Sequence, residues 1–332
     1  MSGAASPVVL VTSRSFSSGD QNLLAELAAA DCRVITGRPD HDLASLAPLL
    51  AQATYWIAGT GPVTAGHLDA APKLRLIARY GVGTEAVDLA AADARGVLVT
   101  NTPGANTGAV ADLTVALILA ALRDIPTGDR NVRAGDWRVR RSRQLKQLTV
   151  GVVGLGRIGR EVTTRLAGFG STVLGHDPYV PAEQVSMLPV ATVSLAELAR
   201  RSDVVTLHLP GEQTLVDSSF LALLKPSAIL VNTARASLVD ETAVAEALRT
   251  GRLDRYATDV LGGDGYGRPN PLLAEELRDR TVLTPHTGAQ TVEAIDLMGR
   301  GAVDSVLAVM RGEQPANLVL PAAVATAPGD VP

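Results

Sequence analysis

The chain has 332 residues, of which 46% are apolar, 19% charged and 3% aromatic, and its net charge is −4. That is too long for one ordinary domain and comfortable for two, each with a core of Ala, Val and Leu, and the acidic balance argues against general nucleic-acid binding. Cys32 is the one cysteine, which excludes an internal disulfide or a cysteine-based zinc site and suits a reducing cytoplasm.

Met1 to Val11 lacks the basic and apolar regions of a signal peptide. Val8–Thr12 is a short β-branched run that predicts an opening strand, followed by a helix over Asn22–Ala30. Further strands are expected at Arg33–Thr36, Thr54–Ala58, Leu74–Tyr80 and Gly96–Asn101. Such alternation predicts a parallel sheet covered by helices. A helix over about Gly108–Leu122 is apolar almost all round, so it should be buried, with a subunit contact one reason. Its apolar stretch Val115–Leu122 is too short to span a bilayer. Arg130–Lys146 carries seven basic residues. These form either a solvated surface or an arm that adds positive charge near an anionic substrate. A second series follows: strand Thr149–Val153, helix Arg157–Ala167 and strand Thr172–His176. Later strands are expected at Val204–Leu209, Ile229–Asn232, Arg255–Val260 and Thr281–Thr284, with helices at Leu195–Arg200 and Thr242–Thr250. The tail from Pro321 is Ala-, Pro- and Gly-rich and reads as disordered.

Gly154-Leu155-Gly156-Arg157-Ile158-Gly159 is a G-x-G-x-x-G between a strand and a helix, and Asp177 ends the next strand 18 residues after Gly159. That context is the dinucleotide fingerprint. The first glycine permits the tight turn, the second lets the backbone approach the pyrophosphate, and the third lets helix and strand pack closely. The helix N-terminus presents free N–H donors to the phosphates. Asp177 would accept from both adenosine-ribose hydroxyls and repel a 2′-phosphate, and no arginine follows in Asp177-Pro178-Tyr179, so NAD is favoured over NADP.

Ligands of open α/β sheets bind beyond the carboxyl ends of the strands. In the second half those ends lead to His208, Arg235, Asp259 and His286. Each alone would be a capping or salt-bridge residue, but together they make a site. Reduction of a 2-keto acid needs a cation for the carboxylate, a proton donor for the carbonyl oxygen, and a group that sets the donor's charge. Arg235 suits the first through its planar fork. A histidine suits the second, and a nearby carboxylate favours its imidazolium. No metal site is expected.

Six motifs, Arg79-Tyr80-Gly81-Val82-Gly83, Val152–Gly159, His208-Leu209-Pro210, Val231-Asn232-Thr233-Ala234-Arg235, Thr258-Asp259-Val260 and Thr284-Pro285-His286, resemble in order and spacing those of the D-isomer-specific 2-hydroxyacid dehydrogenases. The resemblance covers roughly residues 50–317. It implies two Rossmann-like α/β domains with parallel sheets. An NAD domain, 102–289, would be inserted into a discontinuous substrate domain, 1–101 and 290–332, with the active site in the cleft between them. It also implies a homodimer joined through the NAD domain. Residue by residue, it implies Arg235 as the substrate-orienting arginine and His286 as the acid/base histidine. Asp259 would hold the nicotinamide carboxamide, and His208, Pro210, Thr233, Ala234 and Gly288 would line the cofactor with Gly154, Gly156, Arg157, Ile158, Gly159 and Asp177. Arg79 and the backbone amides of Val82 and Gly83 would receive the substrate.

Three departures stand out. Where the family has glutamate as the partner of the histidine, this chain has Asp264, one methylene shorter, with Glu275 and Glu276 the next carboxylates to hand. Ala236 replaces the glycine after the arginine. The loop Ala58-Gly59-Thr60-Gly61 lacks the arginine of phosphoglycerate dehydrogenases, and no regulatory domain follows Asn317, which together argue against 3-phosphoglycerate as substrate. The expected function is hydride transfer between NAD(H) and C2 of a small 2-hydroxy or 2-keto acid. Two readings stay open beside it: a dehydrogenase of another small oxyanion, such as phosphite or a phosphonate, and an NAD-sensing corepressor.

Overall fold

Runs such as Val8–Val11 and Val204–Leu207 are apolar at nearly every position, so both faces of the strands they form must be covered. Parallel sheets between helices provide that cover. The computed structural model describes residues 6–211, 213–263 and 269–319. The chain divides into two compact units, one running to Asn106 and resuming at Gln290, the other formed by Thr107–Ala289.

The first unit holds β1 (Val8–Val11), β2 (Arg33–Thr36), β3 (Tyr55–Ala58), β4 (Leu76–Arg79) and β5 (Leu98–Thr100), in the order β2-β1-β3-β4-β5 and all parallel. The second holds β6 (Thr149–Val153), β7 (Thr172–His176), β8 (Ala191–Thr192), β9 (Val204–Leu207), β10 (Ile229–Asn232), β11 (Arg255–Thr258) and β12 (Thr281–Leu283). Their order is β12-β11-β10-β9-β6-β7-β8, again all parallel. Successive residues divide between the two faces: Val204, Ile229 and Val231 enter one core with Ile118 and Val162, while Val205, Leu207 and Leu230 enter the other with Leu221 and Leu248. Each fully buried side chain of this kind contributes about 1.5–3 kcal/mol. In both sheets the chain turns back beside its first strand, so each has a switch point, at β1/β3 and at β6/β9.

The strands expected from the sequence form, several of them shorter at their C-terminal ends because those residues turn into the loops that carry function. The helix Thr107–Arg123 packs across β10, β11 and β12 and against the helix Arg157–Gly168, with Val110, Ala111, Thr114, Leu117 and Ile118 buried.

Seven helices among the described residues were not expected, and two of them bear on the readings above. Val292–Met310, the longest, places Asp296, Gly299 and Gly301 among its inward positions, which breaks the apolar period. Each has a steric or polar cause: a Cβ on Gly299 would lie 2.3 Å from Leu23, one on Gly301 2.9 Å from Thr102, and Asp296 accepts the Asp20 and Gln21 N–H groups. Ile125–Arg133 is the other. It opens the basic segment, five of whose seven cations are paired: Arg130, Arg133, Arg138, Arg140 and Arg143 meet Asp279, Asp129, Asp136, Asp254 and Asp203. That pairing favours the solvated-surface reading over the substrate-facing arm. Among the described residues no helix is long and apolar enough to cross a membrane. The tail from Pro321 lies outside the described residues.

Candidate active site

Because all seven strands of the second unit run parallel, their carboxyl ends share one edge. Read along the sheet from β12, that edge carries His286, Asp259, Arg235, His208, the Gly154 turn and Asp177. Topology therefore gathers every cofactor and catalytic position expected in this unit, except Asp264, which lies outside the described residues.

At β6 the chain turns at Gly154, with φ +92°, a conformation that favours glycine. A Cβ there would meet the His208 carbonyl oxygen at 2.4 Å, so the β6 and β9 ends are in direct contact at the switch point. Gly159 is tighter still, since its Cβ would fall 1.9 Å from the Gly154 carbonyl oxygen. Gly156 and Arg157 are exposed or nearly so and Ile158 is half-buried. Asp177 braces the turn from β7: its Oδ2 accepts the Leu155 N–H at 2.7 Å, while Oδ1 accepts the Tyr179 N–H at 2.9 Å. Arg160, which the motif does not single out, holds the Leu155 carbonyl through Nε at 2.7 Å. His208 is half-buried and contacts Thr206 Oγ1 at 3.0 Å. Desolvation pushes its pKa down to about 3, which favours the neutral ring.

Arg235 follows β10 in extended backbone and is half-buried, with Nη1 donating to the Ala234 carbonyl at 2.8 Å. The turn that presents it is held by Asn232, fully buried, whose Nδ2 donates to the Arg235 carbonyl and whose Oδ1 accepts the Ala234 N–H. Thr233 Oγ1 lies 2.7 Å from Thr114 Oγ1. Thr114 spends its own proton on the Val110 carbonyl, so Thr233 is the donor in that pair. Pro210 is exposed beside this turn, and the following Gly211 has no room for a side chain: its Cβ would lie 2.5 Å from Arg235 Cβ.

His286 is exposed and sits at φ +54°, a left-handed conformation that costs a non-glycine residue about 1–2 kcal/mol. Asp259 holds it there. This carboxylate, 2% exposed, accepts on Oδ1 from Thr284 Oγ1 at 2.5 Å and the Thr287 N–H at 2.8 Å, and on Oδ2 from the Gly288 N–H at 2.7 Å. Its backbone carbonyl accepts the His286 N–H at 3.0 Å. Asp259 is thus the anchor of the histidine loop. Glu275 and Glu276 are engaged elsewhere, with Arg278 at 2.8 Å and Arg249 at 3.1 Å.

In the first unit the corresponding edge carries Thr12, Gly59 and the loop after β4. Arg79 is buried, and its Nη1 donates to the carbonyls of Ala58, Gly59 and Tyr80. Its guanidinium therefore ties two loops together. Val82 and Gly83 are half-buried, and Asn101 Nδ2 donates to the Val82 carbonyl at 2.8 Å. Among the described residues no group of three or more His, Cys, Asp or Glu could hold a metal ion.

The model of the D-isomer specific 2-hydroxyacid dehydrogenase NAD binding domain matches residues 115–288. The chain belongs to this family. It is 39% identical over 263 residues to the D-3-phosphoglycerate dehydrogenase of Methanocaldococcus jannaschii, covering 77% of this chain and 49% of that protein. It thus spans about half the length of that relative. It is 38% identical over 269 residues to the glyoxylate reductase of Korarchaeum cryptofilum, covering 78% of this chain and 80% of the relative. The TT0316 protein of Thermus thermophilus superposes with a TM-score of 0.83 at 36% identity, covering 94% of this chain and all of that one.

The NAD-binding domain of this dehydrogenase family chain fits its cofactor on its own geometry. Nothing lies within 4 Å of a Cβ built on Gly156, so the turn leaves open space where a pyrophosphate has to approach. No side chain caps the first turn of the helix Arg157–Gly168, which leaves its N–H donors available.

Proposed function

We propose that this protein is an NAD-dependent oxidoreductase acting on C2 of a small 2-hydroxy or 2-keto acid. The observation that carries the reading is the order of groups along one sheet edge: His286, Asp259, Arg235, His208 and the glycine cradle stand on five neighbouring strands. NAD(H), held at Gly154, Gly156 and Gly159 with Asp177 on its ribose, supplies or accepts the hydride. Arg235 pairs the substrate carboxylate and orients it, because its fork matches two carboxylate oxygens. His286 donates the proton to the carbonyl oxygen during reduction and removes it during oxidation. Asp259 acts through His286 by holding its loop, and Asp264 is assigned as the carboxylate that favours the imidazolium. His208, neutral, lines the cofactor and moves no proton. In the other unit, the backbone amides of Val82 and Gly83, on the loop that Arg79 fastens, are assigned to substrate.

The substrate we favour is an unphosphorylated 2-keto acid. Gly59 and Gly61 place no cation on the loop after β3, and five of the seven basic residues of the 130–146 segment are held in ion pairs. Exposed Trp137 and Val139, at 77% and 95%, support a homodimer formed through the NAD-binding domain. The buried thiol of Cys32 is compatible with a reducing cytoplasm. The test pairs NADH oxidation by a panel of 2-keto acids, 3-phosphohydroxypyruvate included, with NAD+ reduction by phosphite and by alkylphosphonates, which can only give up a hydride. Turnover of the small keto acids is expected. Turnover confined to a phosphorus oxyanion, or none with any compound, would overturn the reading.

A further inference from the structure

The first unit contains a polar network that the catalytic reading does not use. Thr12 follows β1, at the switch point of its sheet, and is 1% exposed. Its Oγ1 meets three groups: His41 Nε2 at 2.7 Å, Trp56 Nε1 at 2.9 Å and the Gly59 N–H at 3.3 Å. The protons are determined by elimination. His41 Nδ1 lies 3.1 Å from the Pro62 carbonyl, which only accepts, so Nδ1 carries the ring proton and Nε2 is the acceptor. Thr12 therefore donates its one proton to His41 and accepts from Trp56 and from Gly59. His67 adds a fourth member: its Nε2 donates to the His41 carbonyl at 2.8 Å, and its Nδ1 accepts from Thr64. His41, His67 and Trp56 are each no more than 3% exposed.

This network grips the loop after β3 at both ends, at Gly59 and at Pro62. It also fills the space beside it. A Cβ on Gly59 would lie 2.7 Å from the Thr12 carbonyl oxygen, and one on Gly61 would lie 2.4 Å from the His41 ring and 2.7 Å from the Pro39 carbonyl oxygen. Neither glycine has a positive φ, so the constraint comes from these neighbours and not from backbone conformation. Arg79 fastens the same loop to the one that carries Val82 and Gly83.

We infer that Thr12, His41 and Trp56 are positioning residues for substrate. They hold the loop Ala58–Pro62 in a form that admits only glycine at 59 and 61, so bare peptide groups, and no side chain from those positions, meet the C3 end of a 2-keto acid. The inference rests on the reading of function above and narrows it toward keto acids with an uncharged C3 substituent. All the members of the network belong to the first unit, whereas the glycine cradle belongs to the second, so its loss should act on keto-acid affinity and not on cofactor affinity.

The experiment compares Thr12→Val with Thr12→Ser. Valine matches threonine in shape and leaves Gly59, Trp56 and His41 without their shared partner, whereas serine keeps the hydroxyl. With glyoxylate and pyruvate as probes, Thr12→Val should raise KM roughly tenfold or more and change kcat less, because a displaced loop loses binding contacts while Arg235 and His286 keep theirs. The NADH Kd, read by fluorescence quenching, should stay within about twofold. Thr12→Ser should recover most of the KM. A folded Thr12→Val with unchanged KM, or one whose NADH Kd rises as much as its KM, overturns the inference while wild-type turnover leaves the function standing. If wild type reduces no 2-keto acid, function and inference fall together. Should Thr12→Val not fold, Trp56→Phe removes one donor and keeps the packing. The same split in KM is then expected, and its absence overturns the inference.

Discussion

Asp259→Asn is the most informative single change in the NAD-binding unit. The substitution preserves shape and removes one acceptor. If the amide oxygen stays at Oδ1 to accept from Thr284 and Thr287, the amide nitrogen faces the Gly288 N–H across 2.7 Å, donor against donor. If the amide flips, the same conflict falls on Thr287. A buried N–H without an acceptor costs about 1–3 kcal/mol, and the bonds that remain lose their charge assistance, so a total near 3 kcal/mol is expected. For a unit of this size that lowers Tm by roughly 6–12 °C. The loop also loses what keeps His286 in its left-handed conformation. A displacement of the proton donor by about 1 Å would lower kcat for keto-acid reduction up to ~10²-fold. Thermal melts and steady-state kinetics on the same preparation check both numbers. A variant with the wild-type Tm and kcat that is altered only in NADH affinity would refute the reasoning: Asp259 would then be a cofactor ligand and not the anchor of the histidine loop.

Arg235→Lys keeps the charge and loses the fork, so KM for the keto acid should rise strongly while the NADH Kd barely changes. His286→Ala should lower kcat for reduction by about 10²–10⁴-fold with NADH binding intact, as single-turnover and titration experiments would show. Asp177→Ala removes both the ribose acceptor and the brace on Leu155, so NADH should bind more weakly and the ratio of kcat/KM for NADPH over NADH should rise. Acid stability should follow His41, whose pKa burial lowers from 6.5 to about 4. The unfolded chain takes up a proton below 6.5 that the folded state refuses. Stability is therefore intact above that pH, and His41 removes about 1.4 kcal/mol per pH unit down to about 4, with His208, lowered to about 3, adding a similar share. Denaturant titrations at pH 7 and pH 5 should show that decline, and His41→Gln should remove about half of its slope.

The sequence by itself determined the strands and the cofactor turn. Thr149–Val153, Thr172–His176 and Ile229–Asn232 were legible to the residue because β-branched and aliphatic residues dominate each short run. The glycine spacing and Asp177 were legible because the chemistry is local: the turn and its brace lie within 24 residues. The strand ends named Arg235 and His286 for the same reason, since a parallel sheet puts every carboxyl end on one edge. What only the tertiary structure decided were the groups that hold those residues in place. Asn232, Thr284 and Thr287 look like ordinary turn residues near strand ends, and Thr114 like one more residue of a buried helix, so none announces its partner. Their partners stand on other elements, as Thr114 does to Thr233 across 119 residues. The helix Val292–Met310 escaped a periodic reading because its inward stripe is shaped by Leu23, Thr102 and the Asp20–Gln21 turn, which fold against it from far along the chain. Likewise, Thr12, His41 and Trp56 look like unrelated residues until β1 and β3 pair. Hydrophobic pattern acts over a few residues and can be read along the chain. A buried polar group takes its meaning from whichever donor or acceptor the fold brings within about 3 Å, and that is a property of three dimensions.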